Sequence, residues 1–294
     1  MKWKTKFTEI TKTRYPVIMG AFAGLGRAEF AASFSNAGGL GIITALNFNT
    51  PERFKKELKS MKNLTKNPFG VNFTIAPPMM AEKNPKARTE ETYFEFLEIA
   101  IDLGVNIFTT SAYQATQLGQ RIHDHGGYWF HKCAIMDHAI SAEKAGADMI
   151  TLVGVEGTGF KNPLQQSTLV NITMGIKLLN IPLIAAGGIG DAHGVLASLM
   201  MGASAVCFGT ALMATEECPA SEKIKRRLIN QDIFEEAYYQ QIYHHQLKDK
   251  SIWSPAAGLI DKVIPMNKFI NSIFENAENI LRKYGFKGDE FNTL

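Results

Sequence analysis

The chain has 294 residues, of which 46% are hydrophobic and 20% are charged, and its formal net charge is +3. A chain of this length can bury a large core, and the small net charge without a basic block argues against nucleic acid as a partner. Three widely spaced cysteines, Cys133, Cys207 and Cys218, indicate a reducing cytoplasm rather than a disulfide framework.

The first residues, MKWKTKF, are basic and amphipathic, but no long apolar run follows them. We therefore expect neither a secretory signal nor a membrane anchor. Beyond them, short apolar runs alternate with segments of helical pattern, several of which end in glycine just before the next run, as helix C-caps and tight turns require. The predicted strands are 16–20, 41–44, 70–74, 106–111, 128–133, 149–154, 182–188 and 205–210.

Eight strands, each followed by a helix, predict a parallel sheet with right-handed crossovers. Near-continuous apolar runs are typical of strands covered on both faces. A count of eight favours closure into a (β/α)8 barrel over an open doubly wound sheet. We assign residues 1–214 to this barrel and residues 215–294 to a helical extension that packs on it as an extra layer or as a lid over its mouth.

Glycine-rich turns follow the last two predicted strands, in AAGGIGDAHG and FGTALMATEE. Glycines let backbone N–H groups approach a ligand, and the following helix N-terminus adds partial positive charge. Gly187 and Gly188, with Gly209 and Thr210, therefore predict a phosphate site, unless they serve tight turns alone. The spacing Gly188-x-Gly190-x-x-x-Gly194 has one residue too many for a dinucleotide fingerprint.

Six segments together resemble the nitronate monooxygenase family: YPVIMGAFAGLG, SNAGGLGII, PFGVNF, AEKAGADMITLVGVEGTG, IPLIAAGGI and GASAVCFGTALMATEE. They run in order over roughly residues 14–220. This family comprises FMN-dependent (β/α)8 enzymes, once called 2-nitropropane dioxygenases, and is close to the flavin-dependent enoyl-ACP reductases. The resemblance implies a small-molecule substrate, FMN as cofactor, and FMN phosphate at the two glycine-rich turns.

The resemblance also implies further site residues. His131 falls on a histidine that is common in the fifth strand, and we take it as a catalytic candidate. Lys132, its neighbour, is a candidate cofactor contact, although strand alternation sends the two side chains to opposite faces. The remaining implied contacts lie along the flavin ring and ribityl chain: Ala21, Phe22, Asn72, Glu156, Gly157 and Thr158.

Phe160 occupies the place where the family has a histidine that takes the α-proton of a neutral nitroalkane. Phenylalanine cannot carry a proton, and a well-placed general base contributes ~10²–10⁴-fold to a rate. An ionised nitronate needs no such base. We therefore expect oxidation of alkyl nitronates or similar small anions with O2 as acceptor, poor activity on neutral nitroalkanes, and Phe160 as a substrate wall.

Two alternatives stay open: an NAD(P)H-dependent flavin reductase acting on enoyl thioesters or quinones, and a phosphate-binding barrel without redox chemistry. A homo-oligomer is also possible. We interpret the other histidines as solvent-facing or structural and expect no metal site at His123, Asp124 and His125. His138 is interpreted as structural, and Cys133 as a buried, inert thiol.

Overall fold

The computed structural model describes residues 1–84, 87–159, 162, 164–244 and 254–293, without the side chains of 241–244. All eight predicted strands are present and lie in one parallel sheet, preceded and followed by a short strand at each end of the chain. In chain order the strands are β1 (Lys2–Lys4), β2 (Val17–Met19), β3 (Gly41–Thr44), β4 (Phe69–Ile75), β5 (Ile107–Ala112), β6 (Tyr128–Cys133), β7 (Met149–Val153), β8 (Leu183–Ala186), β9 (Ala205–Phe208) and β10 (Glu290–Asn292).

The helices alternate with these strands. Thr50, one of the two expected cap residues, starts the third helix: its side chain accepts a hydrogen bond from the Arg53 N–H at 3.3 Å, and Pro51 follows in the first turn. The α-helices are α1 (Lys6–Thr11), α2 (Ala28–Asn36), α3 (Pro51–Leu64), α4 (Pro78–Lys83), α5 (Phe94–Asp102), α6 (Thr116–Asp124), α7 (Met136–Lys144), α8 (Thr168–Leu178), α9 (Ala192–Met200), α10 (Glu222–Ile229), α11 (Glu236–His244) and α12 (Met266–Lys283).

The sheet closes on itself. Its strand order is β2-β9-β8-β7-β6-β5-β4-β3, and a parallel bridge between Ile18 and Leu40 joins the two ends. There the Met19 N–H donates to the Leu40 carbonyl at 3.0 Å, and the Leu40 N–H donates to the Val17 carbonyl at 2.9 Å. The prediction of a (β/α)8 barrel is confirmed.

Helix α12 packs against α9 and α2, where the eighth helix of a (β/α)8 barrel belongs. Its buried residues repeat at helical spacing, from Met266 through Ile270 and Phe274 to Leu281. The barrel therefore continues beyond residue 214, into the segment that the sequence assigned to the extension.

The two chain ends pair with each other beside this helix. Strands β1 and β10 pair in parallel, with Trp3 opposite Phe291. The Trp3 ring lies 5.0 Å from the ring of Phe274 on α12 and 5.1 Å from that of Phe291. None of the helices in the described ranges combines the length and apolar character that a membrane span requires.

Candidate active site

A cavity of about 590 Å³ opens at the carboxyl ends of the barrel strands. Every barrel strand contributes residues at or directly after its carboxyl end, as expected for the catalytic face of this fold. Ser254 and Ala256, which follow α11, also line the cavity. Part of the segment that the sequence predicted to be a lid therefore reaches the mouth.

The two predicted phosphate turns lie together on this cavity. Gly187 and Gly188 have φ angles of +106° and +71°, which side chains other than glycine rarely adopt. A Cβ at Gly209, in the neighbouring turn, would meet nothing within 4 Å, so this position faces open space. The hydroxyl of Thr210 lies 3.4 Å from that of Thr158.

The N-terminus of α9, which follows the Gly187 turn, is already capped by protein. Asp191 Oδ1 accepts a hydrogen bond from the Gly194 N–H at 2.8 Å. The carboxylate offsets the partial positive charge that we expected this helix to offer a phosphate. Attraction for an anion must therefore come from the turns themselves and from a side chain elsewhere in the cavity.

Glu156 is linked to the Gly187 turn through Thr168, and it is not among the residues that line the cavity. Its Oε2 accepts hydrogen bonds from the Thr168 N–H at 3.0 Å and the Thr168 hydroxyl at 2.9 Å. The same hydroxyl oxygen lies 2.8 Å from the Gly187 carbonyl oxygen. The loop residues Gly157, Thr158 and Gly159 do line the cavity.

Lys132 lines the cavity, whereas its neighbour His131 does not. This difference follows from strand alternation, as expected. His131 is 2% exposed, its Nδ1 lies 2.8 Å from the Thr110 hydroxyl, and that hydroxyl accepts a hydrogen bond from Trp129 Nε1 at 2.7 Å. Burial lowers the pKa of His131 to about 4, with a smaller contribution from the charge of His138. The geometry favours Lys132, not His131, as the residue that reaches a ligand.

Asn72 lies inside the barrel, beneath the residues that line the cavity. Its side-chain amide donates to Thr109 Oγ1 at 2.9 Å, and its Oδ1 accepts from the Thr74 hydroxyl at 3.0 Å. Thr74 and Ser111, whose hydroxyls are 3.3 Å apart, form the polar part of the floor above it. Asn72 is therefore placed to position the floor rather than to line it.

Comparison with known proteins assigns the chain to a family. A family model described as nitronate monooxygenase matches residues 4–238. The chain belongs to the nitronate monooxygenase family. A probable nitronate monooxygenase of Staphylococcus aureus (strain Newman) is 32% identical over 258 residues, which span 77% of this chain and 72% of that protein.

Solved structures share the fold of this chain. A FabK mutant from Thermotoga maritima has a TM-score of 0.80 at 25% identity and covers 96% of this chain and 98% of its own. A nitroalkane oxidase from Streptomyces ansochromogenes has a TM-score of 0.75 at 20% identity, over 94% of this chain and 99% of its own, and shows the fold. The chain is a flavin-dependent oxidoreductase, which sets aside a barrel without redox chemistry.

The first-strand loop of this nitronate monooxygenase homologue is rigidly held at the cavity. Ala21 and Phe22 both line it, as the resemblance implied. The Phe22 N–H donates to Thr44 Oγ1 at 3.0 Å, and the Asn47 amide donates to the Phe22 carbonyl at 3.0 Å. The Phe22 ring meets Phe30 edge to face, with the centroids 5.4 Å apart. The loop thus presents an apolar edge of fixed position.

Two buried thiols, Cys133 and Cys207, also line the cavity. Burial raises the pKa of Cys133 to about 12. Burial also raises the pKa of Cys207, and the nearby charge of Lys132 partly opposes that rise. Both sulfurs are therefore neutral thiols near neutral pH, which agrees with the inert role expected of Cys133.

His138, on the first turn of α7, is the cavity histidine that the sequence analysis interpreted as structural. It is the only histidine among the described residues of the lining. His123 lies elsewhere, with its Nε2 2.9 Å from Asp148 Oδ2, and His193 pairs with Asp191 at 3.3 Å. Phe160 lies outside the described residues.

The chemistry of the lining fits the phosphate and ring of a flavin nucleotide. Among the lining residues that the structure describes, Lys132 is the only one with a permanent charge, and no carboxylate occurs. Glycine turns and the Thr210 hydroxyl suit a phosphate, and the apolar loop at Phe22 suits a flat ring.

Proposed function

We propose that this protein binds FMN and oxidises small anionic substrates of the alkyl nitronate type, with O2 as the final electron acceptor. The observation that carries the proposal is the charge of the lining: one lysine and no carboxylate among its described residues, beside two glycine turns. A dianionic phosphate and an anionic substrate both gain from such surroundings, because opposite charges attract more strongly beside protein than in bulk water. The three free cysteines support the cytoplasm as its compartment.

Different residues of the cavity would have separate tasks. Gly187, Gly188, Gly209 and Thr210 would hold the FMN phosphate, and Ala21 and Phe22 would lie along its ring. When bound, the flavin would supply the redox chemistry between the substrate and oxygen. Lys132 would attract and orient the anion, as its ammonium group carries three donors on a flexible stem.

Proton transfer distinguishes ionised from neutral substrates. A nitronate has already lost its α-proton, so its oxidation requires no base, and Phe160 cannot act as one. His138 is the only histidine among the described residues of the cavity lining, and its imidazole could replace the base that Phe160 cannot provide. We therefore propose that His138 provides the weak residual activity on neutral nitroalkanes.

The first test is the spectrum and the anaerobic bleaching of the purified protein. We expect bound FMN by absorbance and mass spectrometry, and bleaching by alkyl nitronate faster than by the neutral nitroalkane. A protein that neither carries nor takes up FMN would refute the proposal. Gly209→Ala tests the phosphate site, because its new methyl group enters open cavity space and meets no protein atom within 4 Å. We expect it to weaken FMN binding, measured as a higher dissociation constant for FMN added back to the apoprotein.

A second candidate is an NAD(P)H-dependent flavin reductase that acts on enoyl thioesters or quinones. The observation that favours it is the likeness to FabK over 96% of the chain at 25% identity. Rapid anaerobic bleaching by NADH or NADPH, with none by nitronate, would replace the first candidate by this one.

A further inference from the structure

Helix α8 turns an unusually apolar side to solvent. At 100° per residue, its exposed arc holds seven residues, of which five are large and apolar and the other two are Thr173 and Lys177. We call the five the α8 face, and their exposed fractions are Leu169 63%, Val170 42%, Met174 38%, Ile176 46% and Leu178 41%.

Other outer helices of the barrel do not share this composition. The exposed positions of α3 include Arg53, Lys55, Lys56 and Lys59; of its large apolar residues, Phe54, Leu58 and Met61 are buried and only Leu64, the last residue, is exposed. This is the ordinary pattern of a surface helix with one side in the core. The α8 face is therefore not a general feature of the ring of helices.

Two neighbouring side chains enlarge the α8 face. Met200, at the end of α9, is 69% exposed, and Leu164, shortly before α8, is 67% exposed. A Cβ built on Gly202, two residues after Met200, would lie 3.1 Å from the Ile176 side chain, so the end of α9 adjoins α8. The seven side chains present on the order of 600 Å² of apolar surface, at the upper limit for a monomer.

We propose that a second copy of this chain covers the α8 face, forming a dimer in which α8 of one protomer packs against α8 of its partner. The exposed area is close to the ~800 Å² per partner of a standard stable interface. A two-fold dimer brings the same patch against itself, which suits a surface that is apolar throughout.

Charge favours a second copy over other occupants. Lys177 is the only charged residue on the exposed arc, so the face offers little to an acidic or a basic partner. A helix that lies on a membrane usually carries several lysines and arginines around its apolar side. Lys177 lies in the middle of the arc but in the last turn of α8, so an antiparallel pairing of the two helices places the two lysines at opposite ends of the interface.

The interface would also stabilise the helix that contacts the Gly187 turn of the candidate active site. Thr168, the first residue of α8, contacts both Glu156, through its N–H, and the Gly187 carbonyl, through its hydroxyl. Packing α8 against a partner would fix the helix that carries this contact. The inference itself stands on the α8 face and does not depend on the proposed substrate.

Sedimentation of the full chain over a range of concentrations tests the dimer. We expect a dimer for the unaltered chain, and for Leu169→Glu a dissociation constant at least about tenfold higher, since a buried carboxylate opposes association. Ser60→Glu on the outer side of α3 is the matched control: it adds the same residue at an exposed helical position and should leave the dimer unchanged.

Circular dichroism and flavin content, expected to match those of the unaltered chain, separate a lost interface from a lost fold. An unaltered chain that is monomeric at all concentrations would overturn the proposal, as would a dimer that Leu169→Glu does not weaken. Flotation of a monomeric chain with vesicles of anionic phospholipid, abolished by Leu169→Glu, would assign the α8 face to a membrane instead and would also overturn it.

Discussion

At the scale of the residue, His131 is held neutral by its surroundings. Trp129 donates to the Thr110 hydroxyl, which is then free to donate its own proton to His131 Nδ1. Protonation of the imidazole would break this chain and place a charge in the buried layer outside the strands. The residue therefore belongs to the stability of the barrel wall.

This arrangement predicts a loss of stability in mild acid. The unfolded chain protonates His131 near pH 6.5, whereas the folded chain does so near pH 4. Stability is thus full above pH 6.5 and falls as the pH drops toward 4, by roughly 3 kcal/mol. Urea unfolding at pH 7 and pH 4.5 should show this loss, and His131→Gln should reduce it. His125→Gln, which alters an exposed histidine, should leave the loss unchanged.

Phe160 permits a direct test of the missing base. Phe160→His should raise the rate of anaerobic flavin bleaching by neutral nitroethane by ~10²-fold, within the range of general base catalysis, and should change bleaching by the nitronate little. His138→Gln should lower only the residual rate on the neutral form. Equal effects of Phe160→His on both forms would show that this position does not govern proton removal.

Some residues of the candidate site could be predicted from the sequence more readily than others, for physical reasons. The glycine turns follow strand ends, which form the mouth of a barrel wherever the chain closes into one, whereas Phe22 was implied only by the resemblance to the family. A residue's depth along a strand leaves no periodic signal in the sequence. Asn72 and Thr74 lie on one face of β4, and the sequence could not show that Thr74 lines the cavity whereas Asn72 lies beneath it. His138 lies on a helix, and only the packing of α7 shows that its first turn borders the cavity.

At the scale of the element, close contact between helices and strands sets the shape of the barrel. Gly41 opens β3 directly beneath α2, where an added Cβ would lie only 2.0 Å from the Ala31 carbonyl oxygen. Backbone cannot retreat as a flexible side chain can. The glycine therefore sets how closely α2 approaches the sheet.

Gly41→Ala should therefore destabilise the protein by about 1–3 kcal/mol, the usual range for an overpacked core position. Gly190→Ala is a suitable control, because its Cβ would lie no closer than 3.4 Å to other atoms. Equilibrium urea unfolding of both variants compares the two costs. Equal stabilities would contradict the tight contact between α2 and β3.

At the scale of the whole molecule, the sequence predicted the barrel strands but not which helix takes the eighth helical position. Strand and helix periodicities are local, and they predicted every barrel strand. The assignment of α12 depends on contacts between Met266–Lys283 and α2, some 230 residues earlier in the chain. A local sequence pattern cannot reveal a contact between residues so far apart in the chain. The short β1 was likewise not predicted, because it exists only through pairing with β10.

A barrel completed by its last helix should unfold as one unit. The buried core is continuous from Trp3 through the barrel to Phe274 and Phe291. Removing the Phe291 ring takes away a contact that joins the two chain ends, and Phe291→Ala should cost about 3–5 kcal/mol. Tyr284→Ala, which removes a ring that is 86% exposed, should cost far less.

Two probes decide whether the loss is shared by the whole molecule. Far-ultraviolet circular dichroism reports all helices, and tryptophan fluorescence reports environments that include Trp3 at the chain ends and Trp129 in the barrel wall. If residues 215–294 were a separate domain, Phe291→Ala would split the transition and leave the barrel signal in place. Because α12 fills the eighth helical position, we expect one coincident transition at a lower urea concentration for both probes.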